Sequence, residues 1–570
     1  MTQEPTDSKK SGTPSIARTF GVVAFLTVLS KFAGLIRDVL VAREYGTSVI
    51  ADAYQYAYMF TGNILILVGG LGGPFHSATV AIVTPHREDR KSGILICQIM
   101  AITFVALSAI TVVAYLVTPY ICQLMAAKYE PNVLGTAHTP GGQAAIRAIN
   151  ELMLPANKLL YQQQMQAQLW IMLPLIVLSG LVGVSYGILN VYNKIFWPSL
   201  SPAIASLAII VAIYWPSEWT TPGARLYIGL PLAIGTLAGA IGQFLAQLPG
   251  MLKLDLQWKL ELTAQPELRE YAKMLWPALF STSIGQLTVY VDAYFALLVH
   301  TQGAWTAIVN SNRLVQLPLG ILLTAMLVPI LPRFTEQVSQ NREDDLKDEL
   351  RRALRFMWFL ALPMTAILLA LPSPIIQVLF QRGNFDQTST QLVTIALEFL
   401  VPSIFFYVAR DLMTRVFYAY KDSITPYRVA MLAIIVKAVL DYVFVVVLNW
   451  GIEGISLATT LITVFNLSLL TFALKRKIGN LGFSKLMPPL VVMLTATVAC
   501  GAATIGVYWA LVKALHASVE HPIGTLEHLV VIGIACIAGL LVYLIICLLF
   551  KLDEPMMFAR RLPVVKRFVK

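Results

Sequence analysis

Charged side chains are what this sequence most lacks: 13% of its 570 residues are Asp, Glu, Lys or Arg, against 57% hydrophobic. Soluble domains carry about twice that share of charge, so a water-soluble enzyme of this length is excluded and the chain reads as an integral membrane protein. Cysteine is scarce too. The five present, Cys97, Cys122, Cys500, Cys536 and Cys547, are odd in number, lie in or at the ends of apolar stretches and have neither disulfide nor metal spacing, so they read as packing residues. With no H-E-x-x-H, paired C-x-x-C or glycine-rich phosphate loop, nothing supports a zinc site, a dinucleotide site or ATP hydrolysis. No small-residue cleavage site follows a short apolar core near the start, so no signal peptide is expected and residues 1–16 read as a disordered cytoplasmic tail.

What is abundant is apolar sequence. Roughly fourteen stretches are long enough to cross a bilayer core of about 30 Å, centred near Ala24, Gly62, Ala106, Val177, Leu207, Leu237, Gln286, Leu323, Ala361, Leu400, Val436, Leu461, Thr495 and Gly539. The fold class expected is an all-α polytopic membrane protein. Taking the loops alternately, the N-terminal side collects roughly 29 Lys and Arg against about 7 on the other, which puts both termini in the cytoplasm by the positive-inside rule. That asymmetry accounts for the net charge of +11 as anchoring beside anionic lipid, and no nucleic-acid partner is needed.

The spans fall into two sets of six plus a pair. The expected organisation is an N-lobe over 17–252, a charged amphipathic cytoplasmic linker over 253–271, a C-lobe over 272–477, two further spans over 485–552, and a basic cytoplasmic tail over 553–570. The second and eighth spans share a pattern ending in Pro85 and Pro332, consistent with duplicated bundles whose binding site lies between the halves. Pro202, Pro231, Pro277, Pro318 and Pro363 lie within spans, and Gly69, Gly70, Gly72, Gly73 and Pro74 form a cluster dense enough to read as a hinge. Acids at the start of Arg342 to Arg355 read as a solvated helix start, and the outer loop 126–158 says nothing of chemistry.

Against this apolar background a few charges stand out. Lys31, Arg37 and Asp38 lie in the first span and Arg313 in the eighth. A cation in hydrocarbon costs at least about 3 kcal/mol, so such residues face a wet cavity and hold something anionic. Ser30, Ala33, Gly34 and Arg37 share one helical stripe, with small residues leaving room beside the guanidinium. The competing reading pairs Arg37 with a carboxylate near in sequence, Asp38 or Asp52. Asp292 lies in the seventh span, and Lys437 and Asp441, four apart in the eleventh, share a helix face. The competing reading for Lys437 is snorkelling to an interface. Gly183-Val184-Ser185-Tyr186-Gly187 fits G-x-S-x-G, but its surroundings are continuous apolar helix, so the glycines read as a packing face.

The segment Ser30-Lys31-Phe32-Ala33-Gly34-Leu35-Ile36-Arg37-Asp38, with Ala42-Arg43, Gly46 and Ala51-Asp52-Ala53, resembles the opening signature of the MviN/MurJ family of lipid II flippases. Asn312-Arg313-Leu314 with Pro318-Leu319-Gly320, and Arg415 to Ala419 with Asp422, Thr425 and Pro426, agree, and the resemblance spans about 17 to 552. It implies the fold of the multidrug/oligosaccharidyl-lipid/polysaccharide exporter superfamily in the bacterial inner membrane, no enzymatic activity, and carriage of the undecaprenyl-diphosphate-linked peptidoglycan precursor. Partners implied are that glycolipid, membrane lipids and other cell wall synthesis proteins. Lys31, Arg37, Asp52 and Arg313 match positions facing the substrate, and the last two spans match a groove for the polyprenyl tail.

The chain departs from the family at Lys31 and Leu65, where arginines are expected, leaving a less basic cavity that His76 partly offsets. Asp292 and Asp441, with Thr459 or Thr460, match a sodium site of some members. Lys437 stands where an amide would suit sodium better, so its ammonium is expected in the ion's place, and coupling to sodium or to the membrane potential stays open. The alternatives are an exporter of another polyprenyl-linked glycan and a drug exporter of the same superfamily.

Overall fold

A computed structural model describes residues 16–67, 69, 73–129, 156, 158–194, 196–214, 229–261, 265–515 and 524–555. Its regular elements are helices: α1 (Ile16–Tyr45), α2 (Val49–Leu67), α3 (Pro74–Val83), α4 (Ser92–Lys128), α5 (Lys158–Val191, with a turn at Leu173 and Pro174), α6 (Phe196–Ile213) and α7 (Leu230–Leu252). They continue as α8 (Pro266–Leu298), α9 (Ala304–Ser339), α10 (Glu343–Ala370), α11 (Pro372–Phe380), α12 (Gln387–Leu400), α13 (Ser403–Ala419), α14 (Ile424–Asp441), α15 (Ile452–Ile478), α16 (Met487–Ala514) and α17 (Thr525–Leu549). Nine described helices are long and apolar enough to cross a membrane, ten if α12 and α13, bent by 45°, count as one broken span. The other expected spans are α1, α2 with α3, α8 and α9, which carry Lys31, Arg37, Asp52, Asp292 and Arg313.

The chain divides into two compact units, one of Met1–Val41, Ala57–Tyr120 and Gln166–Thr282, the other of Ala42–Tyr56, Ile121–Met165 and Ser283–Lys570. In the first, the expected second span breaks after Leu67 and resumes at Pro74. Gly69 sits in the break, where a Cβ would lie 2.2 Å from the Ser179 carbonyl oxygen, so the backbones touch. Pro74 opens α3, a position where its missing N–H costs no hydrogen bond. Gly70 and Gly72 lie outside the described residues.

The G-x-S-x-G segment is a packing face. A Cβ at Gly183 would stand 2.8 Å from Phe75 Cβ, and one at Gly187 2.6 Å from Thr79 Cβ, so α5 and α3 approach over glycine. Phe75, Ile82, Leu95, Ile99, Val184 and Ile188 form the core around that contact. Gly187→Leu is therefore expected to lower the thermal midpoint of the detergent-solubilised protein, by about 3 kcal/mol of lost stability. Gly506→Ala, where nothing lies within 4 Å, is expected to leave it unchanged or slightly raised.

In the second unit α10 opens on Glu343, Asp344 and Asp345, the acids that favour a helix N-terminus. Phe359, Leu362 and Ala366 of α10 pack against Met493, Ala496 and Cys500 of α16 and Tyr543 and Cys547 of α17, giving those thiols the packing role expected. Pro202, Pro277 and Pro363 lie inside helices, whereas Pro231 falls in the first turn of α7 and bends no span. Residues 253–261 are irregular, and the Gln257 N–H donates to the Arg90 carbonyl at 2.9 Å.

Candidate functional site

In the first unit, Ser30, Ala33, Gly34 and Arg37 are all partly exposed on α1, and Lys31 is exposed. Arg37 turns its Nε and Nη2 toward Asp38 Oδ1 at 2.9 and 2.7 Å, with the side chains 21% and 11% exposed. A guanidinium has five N–H donors, and this pairing uses two. The carboxylate partner offered by the competing reading is therefore Asp38 rather than Asp52. His76 Nε2 lies 3.0 Å from Asn190 Nδ2, a neutral polar contact between α3 and α5.

In the second unit, Arg313 reaches the amide oxygens of Asn310 and Gln55, both at 3.4 Å. Asp52 behaves otherwise. It is buried, and its carboxylate accepts from the Gly303 N–H at 2.9 Å, the Thr306 N–H at 2.9 Å, the Thr306 hydroxyl at 2.6 Å and the Tyr129 hydroxyl at 3.5 Å. A carboxylate has about four lone-pair sites, so these donors fill it. Gly303 caps α9 in the left-handed region, φ 79°, and a Cβ there would strike Thr47 at 2.4 Å. Asp52 thus caps a helix remote in sequence, satisfying N–H groups that have no partner within it.

The same unit buries Lys437 completely. Its Nζ donates to Asp441 Oδ1 and Oδ2 at 2.7 and 2.8 Å, pairs with Asp292 Oδ1 from α8, and lies 3.5 Å from the Ile455 carbonyl. Snorkelling is ruled out by that burial. Thr459 donates to the same Ile455 carbonyl at 3.0 Å, beside the ammonium, while Thr460 turns away to the Phe399 carbonyl at 2.6 Å. Immediately after Asp441 the helix passes into a π turn over Tyr442–Val447, a distortion frequent at functional positions. One charge-paired cluster therefore ties α8, α14 and α15 together.

Outside the spans, Asp422 joins α13 to α14 and accepts from Lys477 Nζ at 2.7 Å, the Thr425 N–H at 3.0 Å and the Thr425 hydroxyl at 2.9 Å. Its burial would raise the carboxyl pKa, but these donors outweigh it and push it down to about 2. Ser185 is fully buried, which leaves no access for a nucleophile. Among the described residues no group of three or more His, Cys, Asp and Glu side chains could hold a metal ion. Two charges that the sequence reading leaves out are Arg410 and Asp411 on α13. Arg410 Nε and Nη2 meet Asp411 Oδ1 at 3.2 and 2.7 Å, the geometry of Arg37 and Asp38 again. The signal was an Arg-Asp dipeptide inside an apolar span.

A family model described as lipid II flippase MurJ matches residues 147–526. A probable lipid II flippase MurJ of Synechocystis sp. is 30% identical over 82% of this chain and 83% of its own length. The lipid II flippase MurJ of Burkholderia cenocepacia is 26% identical over 81% of this chain and 84% of its own. In fold, the chain is similar to a solved lipid II flippase MurJ in an inward closed conformation, with a TM-score of 0.69, 22% identity, and 93% and 99% of the two chains covered. It is also similar to an inward-facing multidrug resistance MATE family transporter of the MOP superfamily, with a TM-score of 0.62, 14% identity, and 81% and 98% covered. On the extent of the family match and the Synechocystis relative, this chain belongs to the lipid II flippase MurJ family.

Proposed function

We propose that the chain carries lipid II, the undecaprenyl-diphosphate-linked peptidoglycan precursor, from the inner to the outer leaflet of the bacterial inner membrane by alternating access. The observation that carries this reading is the pair of part-buried guanidinium groups, Arg37 and Arg313, on helices of a chain of this family. Cations at bilayer depth suit a ligand that brings two phosphates. Lys31 adds a third positive charge, and the Lys and Arg asymmetry of the loops supports cytoplasmic termini. The head group crosses while the prenyl tail stays in lipid along α16 and α17. No cofactor is required. Moving about two negative charges outward across an inside-negative potential of about 100 mV yields roughly 4.6 kcal/mol, and the Lys437 ammonium stands where a coupling cation would otherwise bind.

The rival reading is export of another polyprenyl-linked glycan, favoured by Lys31 and Leu65 standing where arginines are expected. Replacing a host's lipid II flippase by this chain, with direct assay of precursor on the outer leaflet, separates the two. Growth with outward precursor is expected, and its absence at normal expression redirects the reading to the other glycan. In the same assay Arg313→Ala is expected to lower transport at least about tenfold with the fold intact. Arg313→Lys is expected to recover only part, since a point charge lacks the planar fork that grips phosphate oxygens in pairs.

A further inference from the structure

The open side of α13 carries a polar stripe that neither the diphosphate nor the buried lysine cluster uses. Tyr407, Arg410, Asp411, Thr414 and Tyr418 are all partly or fully exposed, whereas Val408, Ala409, Leu412, Met413, Val416 and Phe417 are buried on the opposite side. Positions i, i+3, i+4, i+7 and i+11 fall within an arc of about 100° on a helix. Arg410 lies ten residues, about 15 Å, from Tyr420 at the end of α13, so the stripe runs deep into an apolar span. Charges at such a depth face water-filled space rather than lipid. The same span is broken by 45° at Val401 and Pro402, and broken helices are tolerated in a membrane where protein or cavity water meets the freed backbone.

The chemistry of the stripe is not that of a phosphate site. Arg410 Cζ stands over the Tyr407 ring, 3.8 Å from its centre, and its charge is matched by Asp411, with side chains 23% and 24% exposed. The pair is neutral overall. It offers guanidinium N–H donors beside a carboxylate acceptor, with the Tyr407 ring next to it and the Thr414 hydroxyl, which donates to the Arg410 carbonyl at 3.0 Å, about one turn on. Adjacent donor and acceptor edges match vicinal hydroxyls, which both give and receive, and aromatic rings cover the apolar face of a pyranose. A dianion gains no net attraction from a pair whose charges already cancel. We infer that this stripe of α13 is a subsite for a pyranose sugar of the cargo's head group, separate from the cations that meet the diphosphate. The inference rests on the function proposed above and adds which side chains read the glycan.

The test uses the full-length protein in lipid nanodiscs and two probes, undecaprenyl diphosphate bearing an N-acetylhexosamine disaccharide and undecaprenyl diphosphate alone. Wild type is expected to bind the sugar-bearing lipid about tenfold more tightly than the bare one, the size expected of one or two net hydrogen bonds. Asp411→Asn and, separately, Tyr407→Leu are expected to remove that tenfold advantage while affinity for the bare lipid stays the same. Equal affinity of wild type for both probes overturns the subsite but leaves the proposed function standing. So does a loss in the variants that falls on both probes alike, or variants that keep the full advantage. Wild type binding neither probe overturns the proposed function and the subsite together. Thermal melts identify a variant that fails to fold, in which case the other variant decides.

Discussion

Lys437→Met is expected to abolish transport and to cost about 3–5 kcal/mol of stability, the usual penalty for leaving a buried charge without its partner. Lys437 is fully buried, and its ammonium is shared by Asp441, Asp292 and the Ile455 carbonyl. Methionine fills the volume of the side chain and removes the charge, so two carboxylates are left facing each other with no cation between them. Like charges at that spacing cannot both stay ionised. Denaturation of the purified protein, followed by tryptophan fluorescence, measures the loss. Adding Asp441→Asn to the methionine variant is expected to recover part of it by removing one of the stranded charges, a non-additivity that a double-mutant cycle reads directly.

The asparagine substitution at the same place has a different expected outcome. Lys437→Asn leaves Asp441, Asp292, the Ile455 carbonyl and the Thr459 hydroxyl around a vacated position, an all-oxygen set of the kind hard cations take. Stability and transport of this variant are expected to rise with sodium chloride and not with choline chloride, while the parent responds to neither. Equal responses in parent and variant would show that the ammonium fills no cation position.

How far the sequence could be read depended on whether the partner of each residue lay nearby in the chain. Lys437 and Asp441 are four apart on one helix, and their ion pair follows from helical spacing alone, whereas Asp292, which completes the cluster, came from resemblance. The packing role of Gly183 and Gly187 was legible because a nucleophile cannot work from the middle of an apolar helix. The capping contacts of Asp52 were not legible. Its donors, Gly303 and Thr306, lie about 250 residues away, and no local pattern announces a helix whose cap is supplied from elsewhere in the fold. Proline was ambiguous in the same way: Pro202, Pro277 and Pro363 sit inside helices, while Pro402 marks the break between α12 and α13. A proline within a span bends or breaks the helix according to neighbours that the sequence does not name.

Removing the Asp52 carboxylate separates a capping role from a substrate-binding one. Asp52→Ala is expected to cost about 3 kcal/mol, because the N–H groups of Gly303 and Thr306 and the Thr306 hydroxyl are left buried without an acceptor. Asp52→Asn keeps the shape but offers one acceptor oxygen in place of two and turns an amide N–H₂ toward donors, so a loss of about half that size is expected. Neither change touches Arg37 or Arg313. Affinity for a polyprenyl diphosphate, measured on the folded fraction of Asp52→Asn, is therefore expected to match the parent's while the denaturation midpoint falls. The opposite pattern, weakened binding at unchanged stability, would move Asp52 from the start of α9 into contact with the cargo. The geometry argues against that pattern, because a carboxylate whose lone pairs are filled by backbone and side-chain donors within the protein has none left with which to read a ligand.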